Sequence, residues 1–140
     1  MPRWTRRRIG QLGARGAAAF CVAFAMFQMA LAAGAPWGEM TWGDSTAVLS
    51  TGMRVASAAA VVYLALAGAA MLVRSDDWGR DLPQAPFRWI NVFLAIQLAL
   101  NTAANMASHN AAERYGMGAA SALGFLLCVC ALLATRDRAV

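Results

Sequence analysis

The sequence predicts an all-α integral membrane bundle of four transmembrane helices, with the N-terminus and the C-terminus both cytoplasmic. Three observations lead there. The 140 residues are 60% hydrophobic and only 14% charged, against roughly 25% charged residues in an average soluble domain. Four apolar runs are each long enough to cross a hydrocarbon core that takes about 20 residues of helix. The basic residues, twelve in all and every one an Arg, gather on one side when those runs are laid antiparallel.

The spans fall at about residues 16–34, 55–73, 89–107 and 115–134, a single four-helix domain over 1–140. The first carries Gln28 as its only strongly polar side chain, and the second nothing more polar than Ser57 and Tyr63. The third holds Asn91, Gln97, Asn101, Thr102 and Asn105. The fourth begins at Tyr115. Helices follow because the runs are continuous and rich in Ala and Leu, without the two-residue alternation of barrel strands. Glycines do not argue against helices in lipid, where small residues let neighbouring helices approach closely.

Arg in the connections sets the orientation. Arg3, Arg6, Arg7, Arg8 and Arg15 precede the first span, Arg74, Arg80 and Arg88 lie in the second loop, and Arg136 and Arg138 follow the fourth span. Only Arg54 and Arg114 remain for the other side, so the positive-inside rule places both termini in the cytoplasm. Trp78 and Trp89 at the inner boundary, with Trp37, Trp42 and Tyr115 at the outer one, suit interfacial anchors. The basic N-terminus fits anionic lipid headgroups, and no nucleic-acid partner is expected. A rival reading makes the first span a cleaved signal peptide, because a basic stretch, an apolar stretch and Ala30-Leu31-Ala32 imitate one. Thr5-Arg6-Arg7-Arg8 is a weak match to a twin-arginine signal. Absence of Lys beside so much Ala, Gly and Arg suits a bacterial protein, hence a multi-pass protein of the bacterial cytoplasmic (inner) membrane.

Gln97, Asn101 and Asn105 are spaced by four and form one amide stripe on the third helix, extended by Ser108. Either the amides bond to neighbouring helices and fix register, or they line a polar groove open to the outer face. The first alternative predicts that Asn101→Leu with Asn105→Leu weakens folding in detergent. On the other side of that helix Ala99, Ala103 and Ala107 form a small-residue stripe. Gly116, Ala120 and Gly124 offer the same spacing on the fourth, as faces for close packing within the chain or for a protein partner or homo-oligomer.

The first external loop, Gly34-Ala35-Pro36-Trp37-Gly38-Glu39-Met40-Thr41-Trp42-Gly43-Asp44, suggests a compact cap on the membrane interface. Glu39, Asp44, His109 and Glu113 share that face and could converge as a metal or acid/base site. No pair has a diagnostic ligand spacing, so no metal or cofactor is expected; the alternative is solvated loop charges, with Glu113 and Arg114 capping the fourth helix. Cys21, Cys128 and Cys130 have neither metal nor CxxC spacing and read as small core or lipid-facing residues. No ionisable side chain lies inside any expected span, which lowers proton-coupled transport and intramembrane catalysis.

The loop Gly34-Ala35-Pro36-Trp37-Gly38 with Trp42-Gly43, followed by Arg54-Val55-Ala56-Ser57, resembles a group of small, functionally uncharacterised bacterial membrane proteins with four helices. The stretch from Asn101 to Asn105, with Ala107-Ser108 and Glu113-Arg114, is similar to the end of their third helix. The resemblance implies architecture and transfers no activity. Asp44 stands where a third loop glycine is expected, and the loop that follows lacks the group's His and Pro. Small four-helix drug exporters are comparable in size, but rely on a Glu in their first span where this chain has Gln28.

The expected function is thus a non-enzymatic membrane module binding a partner, a lipid or a small ligand. Its candidate contacts are Trp37, Glu39, Trp42, Gln97, Asn101, Asn105, His109 and Glu113. A small transporter or channel subunit is the alternative, and a membrane enzyme using His109 with Glu39 or Glu113 a third reading.

Overall fold

A computed structural model describes residues 2–41, 46–79 and 81–134. It contains helix α1 (Arg3–Ala33), a short 3-10 turn (Gly38–Met40), α2 (Thr51–Arg74), α3 (Gln84–Ala107), and a π-helical segment (Ala112–Met117) that runs into α4 (Gly118–Ala134). Among the described residues there is no strand. Four helices, the last counted over Ala112–Leu133, are long and apolar enough to cross a membrane. Their outward faces carry Val22, Met26, Val62, Leu66, Phe93, Ile96, Leu100, Leu123 and Leu126 exposed, a surface for lipid to cover.

Each helix end has a local cause. Gly34, at φ +100°, closes α1: its N–H donates to the Leu31 carbonyl (3.0 Å) and the Ala35 N–H to Ala30 (2.9 Å), with Pro36 next. This paired closure needs the left-handed backbone that glycine adopts freely. The Arg54 guanidinium supplements it, donating from Nε to the Ala32 carbonyl at 2.8 Å. Gly34→Val should therefore lower stability in detergent by about 1–2 kcal/mol, read as a fall in the thermal unfolding midpoint. Ser50 caps α2, its hydroxyl oxygen accepting from the Met53 N–H. Pro86 sits in the first turn of α3, where its missing N–H costs nothing.

At 31 residues α1 is about 46 Å long at ~1.5 Å per residue, well beyond the ~30 Å hydrocarbon core. Its first turns use a stripe spaced by four to clasp the turn after α2. Arg7 pairs with Asp76 (3.3 Å), Gln11 donates to the Ser75 carbonyl (3.2 Å), and Arg15 grips both Asp77 oxygens (2.7 and 2.6 Å).

The helices stand in a ring in chain order, α1 against α2 and α4, and α3 against α4 and α2. Three seams are closed by specific contacts. Between α1 and α4, a Cβ on Gly13 would lie 2.8 Å from Cys130 Cβ and 2.9 Å from the Leu127 carbonyl and the Ala131 nitrogen, and the Phe20 ring covers Gly124. Between α1 and α2, a Cβ on Gly68 would come within 3.3 Å of Cys21 Cβ. Between α3 and α4, the Thr102 and Ser121 hydroxyls are in hydrogen-bonding contact at 3.0 Å. The α2–α3 seam is the sparsest and includes an edge-to-face contact of Tyr63 with Phe93 (6.1 Å).

Within the chain, close packing thus uses faces other than most of the expected small-residue stripes. Gly116 faces open space, Gly124 meets α1 instead of α3, and Ala103 and Ala107 are exposed. The reason is rotational: the α3 side that meets α4 carries Thr102 and Asn105, which turns the Ala stripe outward. Cys21 and Cys128 are fully buried in the core with Ala17, Ala18, Leu64, Ala67, Met71 and Leu94.

Candidate ligand-binding cavity

Helical spacing on α3 turns two chemistries to the bundle interior. Leu94 and Leu98 occupy the buried face, Gln97 and Asn101 follow the neighbouring ridge toward α2, and Asn105 lies between that ridge and Gly118 of α4. Beside the sparse α2–α3 seam a cavity of about 420 Å³ remains. Its walls include Phe20, Phe24 and Gln28 of α1, Ala60, Tyr63 and Leu64 of α2, and Met117 and Ser121 of the fourth helix. Thr41 and Glu113 complete the end beneath the first loop. Sites for small molecules run from roughly 300 to 1,000 Å³.

The amides on this wall are not interhelical glue. Among the described residues, the side chains of Gln28, Gln97, Asn101 and Asn105 hydrogen-bond to no other protein group. Gln28 is 9% exposed, and its Oε1, the Gln97 Oε1 and the Tyr63 hydroxyl are buried without a partner. Leaving such a buried atom unpaired costs about 1–3 kcal/mol; exposed Asn101 and half-buried Asn105 add unused donors and acceptors at the same void. Among the described residues the α3–α4 hydrogen bond comes instead from Thr102, one residue beyond Asn101, so the stripe does not supply the register-fixing bonds. Asn91, farther along α3, is wholly buried with both amide atoms unpaired.

Glu113 departs most from expectation. The helical segment starts at Ala112, so Glu113 lies in the first turn of the fourth helical segment, ahead of the expected span from Tyr115. The π-helical turn explains its direction: the Gly118 N–H donates to the Glu113 carbonyl five residues back. The wider turn puts Glu113 and Gly118 on the buried side, with Tyr115 and Gly116 outside. Such turns recur at functional sites. The Glu113 carboxylate, 7% exposed, accepts from the Ser108 hydroxyl at 2.6 Å. Ser108 therefore orients the acid at the head of the amide stripe.

The loop above is a built cap. The Gly38 N–H donates to the Ala47 carbonyl (2.8 Å), and a side chain at Gly38 would collide with the Thr46 carbonyl. Asn110 Nδ2 donates to the Glu39 carbonyl at 2.6 Å, tying the first loop to the hairpin before the fourth helix. Trp37 stacks on Phe27 with its ring nearly parallel and the centroids 6.0 Å apart. Trp42 and Asp44 lie outside the described residues.

Of the candidate residues, then, Gln97, Asn101, Asn105 and Glu113 come together on the cavity wall. Trp37 packs over the end of α1, away from it. Glu39 and His109 are exposed, and His109 hydrogen-bonds to neither Glu39 nor Glu113. That acid/base pair is not assembled because Glu113 turns inward while the other two turn out. No cluster of three or more metal-ligating side chains forms among the described residues. Gln28, Thr41, Tyr63 and Ser121 belong to the site without having been singled out for it; Gln28, alone in an apolar span, carried the only signal. Comparisons with protein families, characterised proteins and solved structures find no match to this chain.

Proposed function

We propose that this chain is a multi-pass membrane module that binds a small amphipathic molecule inside its bundle, beneath the first-loop cap. One observation carries the reading: four side-chain amides without hydrogen-bond partners among the described residues line one cavity beside a buried carboxylate. Its apolar wall of Phe20, Phe24, Leu64, Leu94 and Leu98 suits a hydrocarbon body, its amides a polar head. The distribution of Arg supports cytoplasmic termini, which puts the cap on the outer face of a bacterial inner membrane. Exposed Trp4, Trp78 and Trp89 at one end, with Trp37 and Tyr115 at the other, fit two interfacial belts. The likeness to small four-helix bacterial membrane proteins accords with this architecture.

Binding is favoured over transport because the bundle between the cavity and the Arg-rich end is filled by Cys21, Ala67, Ala70 and Met71. The test is extraction of the protein with its surrounding membrane into polymer discs, followed by native mass spectrometry. The wild type should retain a stoichiometric adduct that Leu98→Trp, which fills the cavity, loses. Bare protein in both samples overturns the reading.

A further inference from the structure

We infer that the cavity opens sideways between α2 and α3 and receives a single-chain amphiphile from the bilayer, one with a neutral or cationic hydrogen-bonding head; this rests on the ligand-binding reading above. Two independent features point to the opening. The other three seams are shut by glycine contacts or by the Thr102–Ser121 hydrogen bond, while α2–α3 is the sparsest. The cavity-lining residues that stay exposed, Asn101 and Ala104, lie on the α3 edge toward α2, where Ala60 and Tyr63 are half-buried on the facing edge. A gap there faces hydrocarbon. Asn101 is six residues from the end of α3 at Ala107, about 9 Å at ~1.5 Å per residue, so the gap sits within the apolar layer.

The class of occupant follows from the walls. A water-soluble solute does not reach a lateral gap at that depth, whereas a molecule dissolved in the bilayer lies alongside it. The head must engage carboxamides, each of which both donates and accepts, so hydroxyl, amide and amine heads all fit. The Glu113 carboxylate at the same end opposes an anionic head, since like charges in a site of reduced dielectric repel strongly. The chain leaves between Tyr63 and Asn101 toward exposed Phe93 and Leu66.

The geometry is tested by photolabelling in phosphatidylcholine nanodiscs with decanol carrying a diazirine either beside the hydroxyl or at the chain end. The head-side probe should mark the Asn105 and Glu113 region, and the tail-side probe the α2–α3 edge around Tyr63, Leu66 and Phe93. Decanol and decylamine should compete at least 10-fold better than decanoate, and Gln97→Leu should cut head-side labelling at least 5-fold. Tail-side labelling in the first loop, or equal competition by decanoate, overturns the lateral route or the head class while the cavity reading stands. If the head-side probe marks no cavity residue, both fall together.

Discussion

Gly13→Leu is expected to give the largest loss of stability of any single substitution on the helix seams. A Cβ at position 13 meets main-chain atoms of α4, Leu127 O and Ala131 N, both at 2.9 Å, besides Cys130 Cβ. Backbone cannot rotate aside as a side chain can, so α1 and α4 must separate along that seam. Overpacking a well-packed interface costs about 1–3 kcal/mol, and leucine carries three further carbons into the same gap. The Phe20 ring over Gly124, higher on the seam, would lose its seat as the helices part. Thermal unfolding in detergent should show the drop. Gly116→Leu is the control, since nothing lies within 4 Å of a Cβ there, and its midpoint should stay at the wild-type value.

Asn101→Leu combined with Asn105→Leu is expected to separate binding from stability. If these amides held helices together, the pair of changes would weaken the fold, each interhelical bond in a membrane being worth about 0.6 kcal/mol on average. Among the described residues neither side chain has a hydrogen-bond partner, and Asn101 borders the lateral opening. The double variant should therefore unfold at the wild-type temperature or slightly above it. Affinity for decanol in nanodiscs should fall about 10-fold or more, because two hydrogen bonds at about 0.5–1.5 kcal/mol each amount to roughly one decade at 1.4 kcal/mol per decade. A lowered midpoint with undiminished affinity would return the amides to a structural role.

Much of this architecture was legible because bilayer thickness and hydropathy constrain it so tightly. Four apolar runs became four helices, and the amide stripe at Gln97, Asn101 and Asn105 does lie together on one ridge. Less legible was which ridge meets which neighbour. Periodicity places Ala99, Ala103 and Ala107 on one face of α3, but not the rotation of that face about the bundle; besides Gly124, the packing glycines include Gly13, Gly16, Gly68 and Gly118. Glu113 was hidden for a different reason. Reading it as a loop charge assumed that the last helix starts at the first unbroken apolar residue, whereas a π-helical turn carries the helix back to Ala112 and rotates the acid inward. Arg7 and Arg15 show the same limit: their charge suggested lipid headgroups, and only the fold reveals the turn at Ser75, Asp76 and Asp77 that they clasp together with the neutral Gln11.

The most direct test of the central claim, that unpaired amides form a ligand site, is the NMR of side-chain amide groups in protein labelled with nitrogen-15 at Gln and Asn. In nanodiscs without added amphiphile, the NH₂ signals of Gln28, Gln97, Asn101 and Asn105 should show the fast hydrogen exchange of groups lacking a protein acceptor. Addition of decanol should shift and protect those four while leaving Asn110, bonded to the Glu39 carbonyl, unchanged. Signals already protected without decanol, and unmoved by it, would show that the stripe is bonded within the protein and would contradict the ligand site.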